Sequence, residues 1–98
     1  MIRLAKKDFR FWLNRNGGKI VGDPTNRTSC PFCRFLKASG AKKVNISISS
    51  RVVDGRSHQH SKWQRDFQHH AIRLQRELAV VGLRGCEALD ALDEVTAP

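Results

Sequence analysis

The sequence predicts a small mixed α+β domain of the α/β class, with about four helices and two or three short strands in the order α-β-α-β-(β)-α-α. Three observations predict it. Apolar residues recur every three or four positions in separate stretches, which is the helical period. One stretch, KVNISIS, alternates apolar and polar residues instead, which is the strand period. Gly, Pro, Asn and Ser cluster between these stretches and punctuate them.

The first helix is expected over roughly residues 3–16, where Ile2, Ala5, Phe9, Trp12 and Leu13 share a face and Asn16 to Gly18 supply the stop. Residues 19–22 read as a short strand, and 22–29 as a loop of turn formers. A second helix follows, capped by Thr28 or Ser29, with Pro31 in its first turn and Ser39-Gly40 at its end. Residues 43–49 form the clearest strand. If it pairs with 19–22, the helix between them makes a right-handed parallel crossover. Val53-Asp54-Gly55 marks a turn, with a short strand at 56–60.

Ser61-x-x-Gln64 is a capping-box pattern opening the longest helix, over roughly 61–81. Its apolar stripe is Trp63, Phe67, His70, Leu74, Leu78 and Val81. A Gly82–Gly85 break precedes a short acidic helix at about 85–95, with Cys86, Leu89 and Leu92 on one side.

Ninety-eight residues, 40% hydrophobic and 28% charged, suit one domain with one modest core. No apolar run approaches the roughly 20 residues of a membrane span, and the N-terminus is too charged for a signal peptide. A cytoplasmic location is the expectation. The odd count of three cysteines suits a reducing compartment.

The net charge is +9, and its distribution tells more than its sum. Residues 1–86 hold all 18 bases and five of the nine acids, a net of +13, while Glu87, Asp90, Asp93 and Glu94 lie in the last dozen residues. Such a surface attracts polyanions: nucleic acid, a nucleoprotein or an acidic protein face.

Cys30-Pro31-Phe32-Cys33 admits three readings. Followed by a helix, it resembles a glutaredoxin active site, in which Cys30 would attack as a thiolate and Cys33 resolve. That family's cis-proline loop has no counterpart here, since the prolines are at 24, 31 and 98 only. For zinc, Cys30 and Cys33 would join His58 and His60, although His-x-His is tighter than the usual histidine spacing. Neighbouring His69 and His70 point about 100° apart on a helix and cannot ligate together. The simplest reading makes the tetrapeptide a helix start, with Cys33 and Leu36 facing the core. No metal or other cofactor is favoured.

Phe9, Trp12 and Leu13, then Cys30, Pro31, Arg34, Phe35 and Leu36, Gly40, Trp63 with Phe67, and Leu89 with Leu92 form a pattern. It resembles that of a loose group of small proteins encoded by phages and other bacterial mobile elements. The resemblance implies no defined chemistry. It implies a setting in which small proteins interfere with host defence or regulate transcription.

The most functional-looking geometry is on the long helix. Lys62, Arg65, His69, Arg73 and Arg76 step by three or four, forming a stripe about 135° from the Trp63–Val81 stripe. The row spans about 21 Å, enough for several successive phosphates. Lys42, Lys43, Arg51 and Arg56 add positive charge around the predicted turn. Trp12 and Trp63 lie on apolar stripes and read as core rather than as base-stacking platforms, whereas Phe11 and Ile72 fall off the stripes. No Walker loop or G-x-S-x-G is present, and a histidine-metal nuclease would have to draw its carboxylates from Asp54 and Asp66. The expectation is a non-enzymatic basic protein that binds nucleic acid or a nucleoprotein. The alternative is a protein-directed inhibitor of a host-defence nuclease complex, anti-CRISPR-like, with the charge aimed at an acidic host surface.

Overall fold

The computed structural model describes residues 3–96. Its elements are α1 (Lys6–Arg15), β1 (Ile20–Gly22), α2 (Pro31–Ala38), β2 (Val44–Ile46), β3 (Ser50–Val53), β4 (Arg56–Gln59), α3 (Lys62–Leu78), β5 (Leu83–Arg84) and α4 (Gly85–Thr96). The class is the expected small mixed α+β domain, but with five strands among the described residues instead of two or three. Ile2, the first residue of the expected α1 stripe, lies outside the described residues.

The sheets differ from expectation in two ways. No parallel crossover joins β1 to β2: β2, β3 and β4 form an antiparallel sheet in that order, and β1 pairs antiparallel with β5. The cause lies at the start of α4, which docks on the α1–β1 loop. There the Gly85 and Cys86 N–H groups donate to the carbonyls of Lys19 (2.9 Å) and Gly17 (3.0 Å). A Cβ on Gly85 would sit 2.3 Å from the Asn16 carbonyl oxygen, so only glycine permits this crossing. Docking α4 there brings Leu83 and Arg84 alongside β1, a two-residue strand too short to carry a periodic signal.

The strand expected over 43–49 is also cut short. Ser47 Oγ donates to the Ser50 carbonyl at 3.0 Å, and the Ser47 N–H donates to the same carbonyl at 2.9 Å. Serine side chains offer the backbone this alternative to a ladder, and here it reverses the chain. The next strand, β3, reaches β4 through Asp54-Gly55, both at positive φ (49° and 84°), as a two-residue type I′ turn requires.

In α2 the N-cap is Cys30, not Thr28 or Ser29: its sulfur accepts the Cys33 N–H at 3.5 Å, and Pro31 takes the first helical position. Thr28 is occupied elsewhere, with its N–H and hydroxyl both on Asn26 Oδ1. Cys33 and Leu36 are fully buried, as the helix-start reading requires.

The core is organised around Phe9. Its ring lies 4.9 Å from Phe32, 5.5 Å from Phe35 and 5.1 Å from Phe67, each edge-on, so one α1 side chain joins α2 and α3. Trp12 and Trp63 are partly buried against this cluster.

The buried face of α3 is Gln64, Phe67, Gln68 and Ala71. This is rotated about 75° from the expected apolar stripe at 100° per residue. Leu78 and Val81 are 42% and 78% exposed, and His70 is a half-buried groove residue instead of a core one. The two glutamines explain the rotation. Gln64 Nε2 donates to the Leu4 carbonyl (3.2 Å), while its Oε1 accepts the Ser61 N–H (2.8 Å), the reciprocal half of a capping box. In the amide orientation that its surroundings can satisfy, Gln68 donates to the Ser47 and Ile48 carbonyls at 3.0 and 3.2 Å. A buried carbonyl left without a donor costs about 1–3 kcal/mol, so turning these amides outward would be unfavourable.

On α4 the inward side is Ala88, Ala91 and Leu92, not Cys86–Leu89–Leu92; Cys86 is exposed and Leu89 half-buried. The alanines let α4 lie against both α1 and α3. The radius of gyration, 12.1 Å, is close to the roughly 12.6 Å that scaling gives for a single domain of this length.

Phe9→Ala should destabilise the fold by about 3–5 kcal/mol in chemical denaturation. Phe11→Ala, two positions away and 63% exposed, should change stability by less than about 0.5 kcal/mol. Equal losses would contradict this core.

Candidate polyanion-binding surface

The rotation of α3 decides what the helix shows to solvent. With Gln64, Phe67, Gln68 and Ala71 inward, the centre of the Lys62–Arg76 stripe lies about 150° away around the helix. Lys62, Arg65, His69, Arg73 and Arg76 are all exposed. The structure therefore brings these five together as one continuous outward row.

They are not equivalent. Lys62 Nζ pairs with Asp66 at 2.5 Å, one turn along. Arg65 donates from Nη1 to the His60 carbonyl at 2.8 Å, which aims its guanidinium back toward the sheet. Arg73 and Arg76 have no side-chain hydrogen bond or ion pair among the described residues. Arg73 nonetheless borders a groove shared with Glu77, Asp90 and Glu94.

Arg51, Arg56 and His58 share one face of the β3–β4 hairpin, because Arg51 pairs with His58 and Arg56 with Val53. Arg51 Nη1 reaches Gln64 Oε1 at 3.5 Å, so the hairpin meets the first turn of α3. Burial lowers the pKa of this half-buried arginine. At the hairpin tip, Asp54 Oδ1 accepts the backbone N–H groups of Lys42 (3.0 Å) and Lys43 (2.8 Å). Those hydrogen bonds hold the Asp54 carboxyl below its usual range, and fix the backbone of two exposed lysines at the hairpin tip. Of the two acids a nuclease would need, Asp54 is thus engaged with the backbone and Asp66 with Lys62.

His60 is 3% exposed, with its Nδ1 3.0 Å from the Ile48 carbonyl and its Nε2 buried without a well-formed hydrogen bond among the described residues. The geometry makes Nδ1 the protonated nitrogen. Burial, helped by the charges of Arg51 and Arg65, lowers its pKa below the ordinary 6.5. His60 is a structural strut between the sheet and α3.

Cys30 and Cys33 are both buried. Burial pushes the Cys30 thiol up to about 12, and raises that of Cys33 as well. A glutaredoxin-like nucleophile needs the opposite shift. The Cys33 sulfur is also 3.0 Å from the Thr28 carbonyl, in donor geometry. Among the described residues, no three His, Cys, Asp or Glu side chains gather to hold a metal, so Cys30, Cys33, His58 and His60 do not form the zinc set considered from spacing.

The acidic helix packs beside the basic body. Asp93 pairs with Arg10 of α1. Asp90 and Glu94 border a groove of about 250 Å³ together with His70, Arg73, Leu74 and Glu77 of α3. Arg73 thus belongs both to the outward row and to this groove, while Lys62, Arg65, His69 and Arg76 do not border it. No helix among the described residues is long and apolar enough to cross a membrane.

Sequence reasoning identified Gln64 as half of the Ser61 capping box, which the structure contains, but not as a buried residue, and it missed Gln68, whose only signal was polar character at an inward helical position. The chain matches no protein-family model, and no curated protein or solved structure matches it at a significant level.

Two outcomes test these assignments. In native protein, a thiol reagent should modify Cys86 promptly, and Cys30 and Cys33 only after denaturation; rapid reaction at Cys30 would contradict its burial. Stability should also depend on His60. Its pKa is depressed in the fold, so the unfolded chain takes up the proton first. The contribution is complete above pH 6.5 and is lost as pH falls below it. His60→Asn should flatten that part of the stability–pH curve.

Proposed function

We propose that this protein is a non-enzymatic nucleic-acid-binding protein that engages the phosphate backbone through the α3 row, extended by the β3–β4 hairpin. The observation that carries the reading is the exposure of all five stripe side chains on the α3 face opposite its buried residues. Arg73 and Arg76 supply unpaired guanidinium groups, which bind phosphate in a planar, bidentate fork. Arg51 stands by the first turn of α3, and Lys42, Lys43 and Arg56 add positive charge around the hairpin tip. A chain of net charge +9 gains long-range attraction to any polyanion, and the row gives that attraction a place to dock. A phage or mobile-element origin, implied by the resemblance, is compatible with such a role.

The test is the salt dependence of affinity for a DNA duplex. Replacing Lys62, Arg65, Arg73 and Arg76 with alanine should weaken binding. It should also reduce the slope of log K against log salt by about one unit for each phosphate that is no longer neutralised. Arg73→Ala with Arg76→Ala serves as the milder variant, since neither side chain has a hydrogen bond or ion pair among the described residues. Parent-like binding by both variants would overturn the assignment. Recovery of an acidic host protein after exhaustive nuclease treatment, with no affinity for nucleic acid, would instead support the protein-directed inhibitor.

A further inference from the structure

Four of the five phenylalanines are buried, and both tryptophans pack against the core. Phe11 is the exception, at 63% exposure on the outer side of α1. It stands as a ridge between two grooves. One, of about 580 Å³, is bordered by Lys7, Arg10, Asn14 and Leu89; the other, of about 430 Å³, by Arg15, Lys19 and Phe35. The Arg15 guanidinium lies 5.8 Å from the Phe11 ring centroid, in cation–π range. Asp8 borders both grooves, and Arg10 is ion-paired to Asp93. The cations Lys7, Arg15 and Lys19 remain as the positive rim.

We propose that Phe11 is a base-stacking platform for single-stranded nucleic acid. An aromatic ring held out in solvent between cations is what such binding uses: the ring takes a base face, and the cations take the flanking phosphates. The Arg15 contact steadies the ring, and the larger groove gives a base room to lie against Phe11 over the half-buried Leu89. A groove of that volume falls within the range of small-ligand pockets. Asn14 at its edge carries both a donor and an acceptor for a base. In a duplex the base faces are stacked on one another, so Phe11 adds nothing there. The inference rests on the nucleic-acid reading above and adds to it a preference for unpaired strands, from a surface on α1 and not α3.

The test compares the parent with Phe11→Leu and Phe11→Trp, binding oligothymidylate of about 16 nucleotides and a duplex of equal length. Phe11→Leu keeps an apolar side chain and removes the π-face, so it should weaken oligothymidylate binding by about 5- to 140-fold. Phe11→Trp should bind as the parent does or more tightly, and duplex affinity should not change in either variant. Oligothymidylate binding that ignores Phe11, or equal losses for both probes, would overturn the inference. So would polyglutamate binding that depends on Phe11 while oligothymidylate binding does not, which would make the ridge a contact for acidic protein. If the parent binds neither nucleic acid, the proposed function itself fails; if it binds both regardless of Phe11, only the stacking platform does.

Discussion

The structure depends on one aromatic junction. Phe9, Phe32 and Phe67, one each from α1, α2 and α3, meet pairwise at centroid distances between 4.9 and 5.1 Å. Phe9 also reaches Phe35 at 5.5 Å, which ties it to α2 a second time. A domain of 98 residues has little apolar surface to spare, so fixing three helices at one point is economical. Aromatic pairs of this kind add about 0.5–1.5 kcal/mol each beyond the area they bury. The helices can then be short: α2 has only eight residues and a sulfur atom for its cap.

What this junction does not determine is the roll of α3 about its own axis. That is set by polar atoms. Gln64 serves the Leu4 carbonyl and the Ser61 N–H, and Gln68 serves the Ser47 and Ile48 carbonyls. His60 shares the Ile48 carbonyl with Gln68. These hydrogen bonds turn the apolar end of α3 partly to solvent, leaving Leu78 exposed, and turn the cationic row directly outward. The surface that carries the proposed function is thus a consequence of satisfying buried carbonyls.

How much of this was legible follows from the range of each interaction. The helices were readable because their periodicity and punctuation are local, and the Asp54-Gly55 turn was readable because its residues suit positive φ. The exposure of the Lys62–Arg76 row was also predictable, since charges spaced by three and four must share a face. The β1–β5 ribbon was not, because it forms only when Gly85 lets α4 approach Asn16 closely. The break after Ile46 depended on one serine hydroxyl choosing the backbone of Ser50. His70 and Cys86 looked inward by spacing alone, but the buried faces of α3 and α4 were decided by polar glutamines and small alanines, which a search for large apolar residues passes over. Phe11 could be flagged as off the stripe, but only the packing of α1 and α4 shows the grooves on either side of it.

The central claim is that the α3 row and the hairpin are where the polyanion sits. Amide chemical-shift mapping on the labelled protein, titrated with a DNA duplex, tests it most directly. The account predicts that the shifts concentrate on Lys62 to Arg76, with Lys42, Lys43, Arg51 and Arg56 following, and that they fade as salt is raised. Shifts centred on α4, or a spectrum unchanged at saturating duplex, would contradict it.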